Sequence, residues 1–465
     1  MAKISPTPES WDIEVDVAIV GGGACGLIAG LRASEAGADV LVLERDATSS
    51  GSTALSSGFI PAAGTRYQRE IGVHDSPDLL ARDIQGKAKG DAHPGITRTV
   101  ASAIGPAVEW LSDTHGLEWV VLDDFLYPGH SVHRMHAVPE RTGTALITRL
   151  LSAVEAAEVP LAYQAHATAL HLEDGRVAGV TINRPDGQTE SIGCRALILS
   201  CNGYGGNPVL VAQHIPEIAG APYFGHTGNT GDAVLWGEAL GAQIQHLSGY
   251  QGHGSLAHPH GILLTWALNM EGGIQVNTEG RRFSNEHEGY SEQAVKVLAQ
   301  PGGVAWNIYD RRLHELGLGF PDYRSAVENG AVHHGDINTL AAKTGIPEEA
   351  LSETLAQTRA YAEGAQDPFG RDFGKAPTLG EDLCAVRVTG ALFHTQGGLV
   401  VDEYAQVLGA DGGVIPGLFA GGGAACGVSG PRVEGYLSGN GLLTAVALGY
   451  VAGASAARIA KTRRV

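Results

Sequence analysis

A glycine turn near the N-terminus constrains the fold of this chain more than any other feature. Asp16 and the apolar residues 17–20 run into Gly21-Gly22-Gly23-Ala24-Cys25-Gly26, helix-forming residues 27–36 follow, and a second apolar stretch ends at Glu44. Such a strand–turn–helix–strand unit binds the pyrophosphate of a dinucleotide at the helix N-terminus, and its terminal carboxylate binds the ribose. The sequence therefore predicts a dinucleotide site with the contacts Gly21, Gly23, Ala24, Cys25, Gly26, Glu44 and Arg45.

Composition narrows the class of protein. The 465 residues are enough for two or three domains, and a formal net charge of −19 argues against a nucleic-acid partner. The sequence has no apolar run long enough to predict a transmembrane segment. The five cysteines have no CxxC spacing, which favours a reduced, cytoplasmic protein without disulfides. His258 and His260 lack a nearby carboxylate or cysteine at ligand spacing, so we interpret them as a loop pair and predict no metal site.

Six further segments match one family in order along the chain. They are GSTALSSG (51–58), GHTGNTGD (225–232), NTEGRRFSNE (277–286), HTQGGL (394–399), GLFAGGG (417–423) and SGNGLL (438–443). With these motifs the chain resembles the fumarate reductase/succinate dehydrogenase flavoprotein superfamily, which also contains the 3-ketosteroid dehydrogenases. The segment 436–439 is particularly similar to the Δ4-(5α) branch of those dehydrogenases.

The resemblance implies an α/β fold with FAD as the cofactor. The fold is a Rossmann-like FAD-binding domain of the glutathione-reductase type with an inserted α+β capping domain. The expected bounds are 1–238 and 379–465 for the two parts of the FAD-binding domain, and 239–378 for the substrate-capping domain.

Two departures from the family concern the cofactor. Ser52 and Thr53 stand where the succinate dehydrogenase branch has a histidine bonded to the flavin, which predicts non-covalent FAD. Gly423 replaces a glutamate that helps to hold the flavin, so this anchor must come from another residue. The further cofactor contacts that the motifs imply are Ser52, Thr53, Ser57, Gly58, Gly203, Asp232, Gly422, Gly423, Asn440 and Leu442.

The substrate positions differ from those of fumarate reductases. Where those enzymes grip a dicarboxylate with two arginines, this chain has Tyr290 and Tyr436, while the two family histidines are matched by His253 and His394. A carboxylate removed from water needs charge-assisted, preferably bidentate donors, and two phenols do not replace two guanidinium groups. The sequence therefore argues against fumarate or succinate as the substrate.

Two phenols do suit a ketone. One can donate to the carbonyl oxygen as negative charge develops there, and the other can take the acidified α-proton. We assign Tyr290 as the base and Tyr436, with N–H groups near Ser438 and Gly439, as the polarising group, although these roles could be exchanged. Ser438 is a candidate proton relay. A phenol has a reference pKa of about 10, so the base needs a neighbour such as His253, His287, Arg281 or Arg282 to lower it.

The resulting hypothesis is an FAD enzyme that forms or reduces a C=C bond next to a ketone, in a 3-ketosteroid or a smaller cyclic ketone. Its substrate contacts are His253, His394, Tyr127, Gly439 and Arg432. One alternative is a reductase of an unsaturated carboxylic acid that uses His253, His394 and Arg432. Another is an electron-transfer flavin subunit. The expected partners are a small-molecule ketone and an electron acceptor, a quinone or a carrier, since no second glycine fingerprint for a nicotinamide cofactor occurs.

Overall fold

A computed structural model describes residues 3–462 of the chain. Two compact units divide the chain. The large unit comprises the residues up to Ile215, then Gly225–Tyr250, and the chain from His394 onwards, and the small unit comprises Pro216–Phe224 and Gln251–Phe393. The domain bounds expected from the sequence stay a prediction.

The elements follow in chain order. The strands are β1 Lys3–Pro6, β2 Ile13–Val20, β3 Val40–Leu43, β4 Ile60–Pro61, β5 Val120–Leu122, β6 Met135–Ala137, β7 Leu161–Ala162, β8 His166–Glu173, β9 Arg176–Asn183, β10 Thr189–Leu199, β11 Ile244–Gln245, β12 Tyr250–Ala257, β13 Ile262–Leu263, β14 Ile274–Val276, β15 Val304–Asp310, β16 Val332–Gly335, β17 Leu383–Thr395, β18 Gly398–Leu399, β19 Gln406–Leu408 and β20 Val414–Ala420. The helices are α1 Ala24–Glu35, α2 Ser52–Leu55, α3 Arg66–Glu70, α4 Pro77–Lys87, α5 Pro94–His115, α6 Gly143–Ala156, α7 Pro208–His214, α8 Asp232–Leu240, α9 Ala267–Met270, α10 Tyr290–Leu298, α11 Arg311–Gly317, α12 Pro321–Glu328, α13 Ile337–Thr344, α14 Glu348–Ala362 and α15 Asn440–Thr462.

The large unit is built around a sheet in the order β1-β8-β9-β10-β2-β3-β7, with β20 paired to β10 and β19 to β20. β2 runs parallel to both β3 and β10. Its residues Val17, Ala18 and Ile19 are fully buried, as in a strand covered on both faces. The carboxyl ends of β2 and β3 therefore meet at the same edge of the sheet, where the glycine turn and Glu44 begin. This arrangement agrees with the α/β FAD-binding fold expected from the sequence.

The helix α15 packs against α1 and α5 in the large unit. Gly453 permits this approach, since a Cβ there would clash with the carbonyl oxygen of Ala29 on α1. By length and composition α15 could also cross a membrane, with a mean hydropathy of 1.5 over its most apolar window, but 61% of that window is buried inside the protein. A buried core helix has the same composition.

The small unit contains an antiparallel sheet in the order β13-β12-β17-β15-β14, with β16 paired to β17. Its core includes the fully buried Ile308, Tyr309 and Val386 from the sheet and Leu313 and Tyr323 from α11 and α12. An antiparallel sheet with separate helices packed on it belongs to the α+β class, which is the class expected for the inserted segment.

Two helical glycines test the packing of α15. Gly453→Ala should lower the free energy of unfolding by about 1–3 kcal/mol, because the added methyl group forces α15 away from α1. Gly86→Ala in α4 is the matched control, since nothing lies within 4 Å of its added Cβ. This second change should raise the free energy of unfolding by about 0.5–1 kcal/mol. Urea unfolding measures both, and equal responses of the two variants would contradict the packing argument.

Candidate active site

The glycine turn after β2 brings backbone into contact with backbone. Gly21 has a φ of +112°, a conformation that favours glycine, and a Cβ there would lie 2.5 Å from the carbonyl oxygen of Ser200. At Gly26 a Cβ would clash with the carbonyl oxygen of Gly21. Because both residues lack side chains, α1 begins directly beside the end of β2, with its N–H groups at the sheet edge.

Glu44 holds the turn as well as closing the unit. Its Oε2 accepts a hydrogen bond from the N–H of Gly22 at 2.8 Å, and its Oε1 accepts one from the N–H of Asp46 at 2.9 Å. Arg45 donates from Nη1 to the carbonyl oxygen of Gly228 at 2.7 Å. The carboxylate therefore lies beside the glycine turn, where the ribose of a dinucleotide binds.

These residues line a cleft in the large unit, with about 840 Å³ of empty space that includes open solvent. The predicted cofactor contacts on its wall are Gly21, Gly23, Ala24, Cys25, Glu44, Arg45, Ser52, Thr53, Asp232, Gly422 and Gly423. The wall also contains residues that were not predicted as cofactor contacts, among them Ser200, Asn202, His226 and Asn229. Gly26, Ser57, Gly58, Gly203, Asn440 and Leu442 are not part of this wall, and their role as cofactor contacts stays a prediction.

Ser52 is held by two amide side chains on this wall. Nδ2 of Asn202 and Nδ2 of Asn229 donate to its Oγ at 2.7 and 3.0 Å. Since the oxygen accepts both bonds, its own hydrogen can donate to an anionic group. Thr53 Oγ1 accepts from the N–H of Ala24 at 3.1 Å, which joins α2 to the first turn of α1. The N-terminus of α1, a carboxylate beside the turn and a serine donor together fit the diphosphate and ribose of FAD.

Asn202 fills the space beside Gly423. A Cβ on Gly423 would clash with Oδ1 of Asn202, and this oxygen accepts from the N–H of Gly203 at 2.8 Å. Asn202 has a φ of +67°, which asparagine tolerates better than most residues. The side chain of Asn202 thus lies where the Cβ of a glutamate at position 423 would be.

A chain of hydrogen bonds fixes His394 in the large unit. Asn440 Nδ2 donates to Ser429 Oγ at 3.0 Å, and Ser429 Oγ donates to Gln396 Oε1 at 2.7 Å. Gln396 Nε2 then donates to His394 Nδ1 at 3.1 Å. Burial lowers the pKa of His394 to about 4, so the ring is neutral. Nδ1 lies 3.1 Å from the Gln396 amide nitrogen and 3.4 Å from the carbonyl oxygen of Thr395; the shorter contact favours the tautomer with its hydrogen on Nε2.

Tyr436 lies next to this histidine. The two rings meet edge to face with centroids 5.5 Å apart, and the tyrosine is 5% exposed. The buried Ser438 follows, and its carbonyl oxygen accepts from His130 Nε2 at 2.9 Å. Gly439 has a φ of +84° and precedes Asn440, the first residue of α15. The structure therefore groups Tyr436 and His394 just before the N-terminus of a long helix.

The other two predicted substrate contacts of the large unit have different surroundings. Tyr127 packs against Phe125, with ring centroids 4.2 Å apart, and against Phe59. Arg432 pairs with Asp91 at 2.6 Å, and both side chains are more than 40% exposed. Its guanidinium group is therefore already matched by a carboxylate at the surface.

An aromatic cluster surrounds Tyr290 in the small unit. The ring of Tyr290, the first residue of α10, stacks on His253 with centroids 4.8 Å apart, and His253 also contacts Trp266 and Phe393. The N–H of Ser255 donates to Nδ1 of His253 at 3.1 Å, so the ring hydrogen is on Nε2. Burial lowers the pKa of His253 to about 3, and the imidazole is neutral.

The arginines of the adjoining motif are paired with carboxylates. Glu286 is fully buried and bonds both Arg282 at 2.8 Å and Arg371 at 3.0 Å, and Arg282 also pairs with Asp367 at 2.7 Å. Arg281 instead pairs with the exposed Glu353. Each of these three arginines is therefore paired with a carboxylate. Burial, and then the positive charge of Arg371, lower the pKa of His287 to about 4, so this ring is neutral. The suggested neighbours of Tyr290 thus bring it no free positive charge.

Comparisons with known proteins agree with this geometry. The family model described as "FAD binding domain" matches residues 16–442. A probable fumarate reductase, Ifc3 of Shewanella frigidimarina, is 28% identical and the match covers 95% of this chain and 74% of that one. The 3-ketosteroid Δ4-(5α)-dehydrogenase of Rhodococcus jostii, solved with 4-androstene-3,17-dione, is 26% identical with a TM-score of 0.77, and the match covers 98% of this chain and 99% of that one. The 4-oxocyclohexanecarboxylate 2-dehydrogenase of Sinomonas cyclohexanicum is 24% identical, and the match covers 99% of this chain and 98% of that one.

The fold and the cavity define a dinucleotide-binding flavoprotein. The chain belongs to the FAD-binding domain family, within the fumarate reductase superfamily, as its motifs indicated. It is an FAD-dependent oxidoreductase that acts on CH–CH groups. FAD when bound accepts or supplies hydride at its flavin ring.

The pairing of Asn202 with Gly423 yields a test of cofactor binding. Gly423→Ala should lower the affinity for FAD at least tenfold, because the new methyl group displaces Asn202 and thereby Ser52. Combining it with Asn202→Gly, which tolerates the positive φ, should restore part of that affinity. Fluorescence titration of the apoprotein with FAD measures both. A double variant that binds no better than Gly423→Ala would contradict the steric explanation.

The buried neutral histidines predict acid lability. The pKa values are lowered to about 3 for His253 and about 4 for His130, His136, His287 and His394, chiefly by burial. The unfolded chain binds protons at these residues near their ordinary pKa of about 6.5, so stability is retained above that pH and declines as the pH falls towards 4. The melting temperature should therefore drop between pH 7 and pH 5, and a constant value would contradict this.

Proposed function

We propose that this oxidoreductase forms or reduces a C=C bond next to a ketone, in a 3-ketosteroid or a smaller cyclic ketone. One observation carries the proposal: phenols stand at both positions where fumarate reductases have guanidinium groups, and each phenol contacts a neutral imidazole. Neither cluster offers a cation to a carboxylate substrate. Arg282, Arg371 and Arg432 are ion-paired with carboxylates of the protein.

In this proposal Tyr436 and His394 act on the ketone oxygen. Both have a hydrogen to donate, the phenol from its hydroxyl and the imidazole from Nε2. Preorganised neutral donors stabilise an oxygen on which negative charge develops during α-proton removal. The hydrogen-bond chain from Asn440 through Gln396 holds the imidazole in the donating tautomer. The backbone N–H groups that precede α15 add the positive end of a helix dipole.

Tyr290 takes the α-proton in the dehydrogenation direction and returns it in reduction. It is the first residue of α10, which has Glu292 in its first turn. Its neighbour His253 is neutral, and the positive end of the α10 dipole is the support that we assign to the base. Tyr290 and Tyr436 could exchange the two roles.

Two of the relatives favour a cyclic ketone. The Rhodococcus enzyme is named for a 3-ketosteroid and the Sinomonas enzyme for an oxocyclohexane carboxylate. We also propose that FAD is held without a covalent bond, since Ser52 and Thr53 occupy the cavity wall near the flavin-contacting turn. A quinone or a carrier is the proposed electron partner.

A reductase of unsaturated carboxylic acids is the second candidate, because the relatives include a probable fumarate reductase. It would need Arg432 to release Asp91 and bind the substrate. That ion pair is exposed, and such pairs are worth only about 0–1 kcal/mol, so experiment has to decide between the candidates. Anaerobic mixing distinguishes the candidates: cyclic ketones should bleach the oxidised flavin and cyclic enones should reoxidise the reduced flavin. Reoxidation by fumarate but by no enone would overturn the ketone proposal.

Removal of single hydroxyl groups tests the two tyrosines. Tyr436→Phe and Tyr290→Phe should each lower the rate of flavin reduction by a ketone by about 10²–10⁴-fold, the usual contribution of a general acid or base. FAD content should not change. Tyr404→Phe is the matched control, since Tyr404 is 42% exposed and should react like the unmodified enzyme. An unchanged rate in either site variant would remove that tyrosine from the mechanism.

A further inference from the structure

Three side chains of the small unit converge in a way that the oxidoreductase function does not use. They are His314 on α11, His334 on β16 and Cys384 on β17. We propose that they bind a zinc ion. Thiolate and imidazole are the ligands that Zn²⁺ prefers, and a set of two nitrogens and one sulfur leaves a fourth, tetrahedral position for a carboxylate or water.

The ligand atoms are already close. The nitrogen, nitrogen and sulfur atoms all lie within 4.8 Å of one another, and Cys384 Sγ is 3.2 Å from His334 Nδ1. Zinc–ligand bonds of about 2.0–2.3 Å separate neighbouring ligands by about 3.3–3.8 Å in a tetrahedral site. Small side-chain rotations are therefore enough to close the three ligands on an ion.

The backbone fixes two of the ligands. His334 and Cys384 are directly opposite each other in the antiparallel pair β16–β17, where side chains of opposed residues lie on the same face. The third ligand comes from α11, whose His314 is 6% exposed and meets His334 ring to ring with centroids 4.8 Å apart. An ion at this point would join α11 to the four-residue strand β16.

A hydrogen-bond relay orients His314. Its Nδ1 is 2.8 Å from the hydroxyl of Tyr323, and that hydroxyl is 2.8 Å from the hydroxyl of Tyr309. With Nδ1 engaged, Nε2 of His314 is the nitrogen that remains for a metal. Metal-binding histidines characteristically make such a bond with the nitrogen that does not ligate, and losing it usually costs about 10–100-fold in metal affinity.

Charged groups of both signs lie around the cluster. Asp382 is the carboxylate that acts on all three ligand side chains. The positive groups are engaged elsewhere: Arg311 is paired with Glu315 at 2.7 Å, and Lys343 Nζ donates to the carbonyl oxygen of His334 at 2.8 Å. Among the described residues no carboxylate joins the three ligand atoms within 4.8 Å, so the fourth position is assigned to water.

The test uses the purified holoenzyme, incubated with Zn²⁺ and then desalted. Elemental analysis should find about one zinc ion per chain, and X-ray absorption at the zinc edge should show one sulfur at about 2.3 Å and nitrogen or oxygen neighbours at about 2.0 Å. Either a protein that retains no zinc or an ion without a sulfur neighbour would overturn the proposal. Neither readout depends on catalysis.

Variants then locate the ion. Cys384→Ala and His334→Asn should abolish zinc retention, and Tyr323→Phe should weaken zinc binding about 10–100-fold. Cys426→Ala is the matched control, because Cys426 also faces a histidine, His246, at 3.5 Å but is not part of such a three-residue group. The FAD content and circular dichroism of each variant show whether it folds. Folded Cys384→Ala protein that keeps its zinc would contradict the proposal.

Discussion

The contact between the backbone of Gly21 and the first turn of α1 is the constraint on which the large unit depends. Because Gly26 has no side chain, α1 starts directly beside the end of β2. The same helix then accepts α15 through Gly453. The start of α15 in turn follows Tyr436, Ser438 and Gly439. One series of close helix contacts therefore connects the nucleotide turn with the residues proposed to act on the substrate.

Both histidines at the family's substrate positions are neutral, and each is set in one tautomer by a different donor. A side-chain amide holds Nδ1 of His394, while a backbone N–H holds Nδ1 of His253. In each case Nε2 keeps the hydrogen. A neutral donor stabilises a charge that grows on an oxygen, whereas a site for a dianion needs full positive charges. The surroundings of the two rings are thus consistent with the absence of arginine at positions 290 and 436.

Local features were predictable from the sequence. The glycine turn, Glu44 and the α/β class follow from residues that are close along the chain, because a tight turn and a helix start are decided by a few neighbouring dihedral angles. The pairing of Arg432 with Asp91 and that of Arg282 with Asp367 join distant segments, and no spacing signals them. The proposed roles of the site residues remain predictions that experiments must test.

The cluster of His314, His334 and Cys384 illustrates the same limit. Metal motifs are recognised by ligands a few residues apart, whereas these ligands come from three elements separated by 20 and 50 residues. His258 and His260, two residues apart, are the histidine pair that the sequence brings to notice. The register between β16 and β17 places His334 opposite Cys384.

The crowding between Asn202 and Gly423 makes these two positions interdependent. Any side chain at 423 would place its Cβ about 2.2 Å from Oδ1 of Asn202, so the asparagine would have to change its rotamer or be replaced. Substitutions at the two positions should therefore be non-additive, because each alters the space that is open to the other. An engineered acidic side chain at 423 consequently requires a smaller residue at 202 in the same protein.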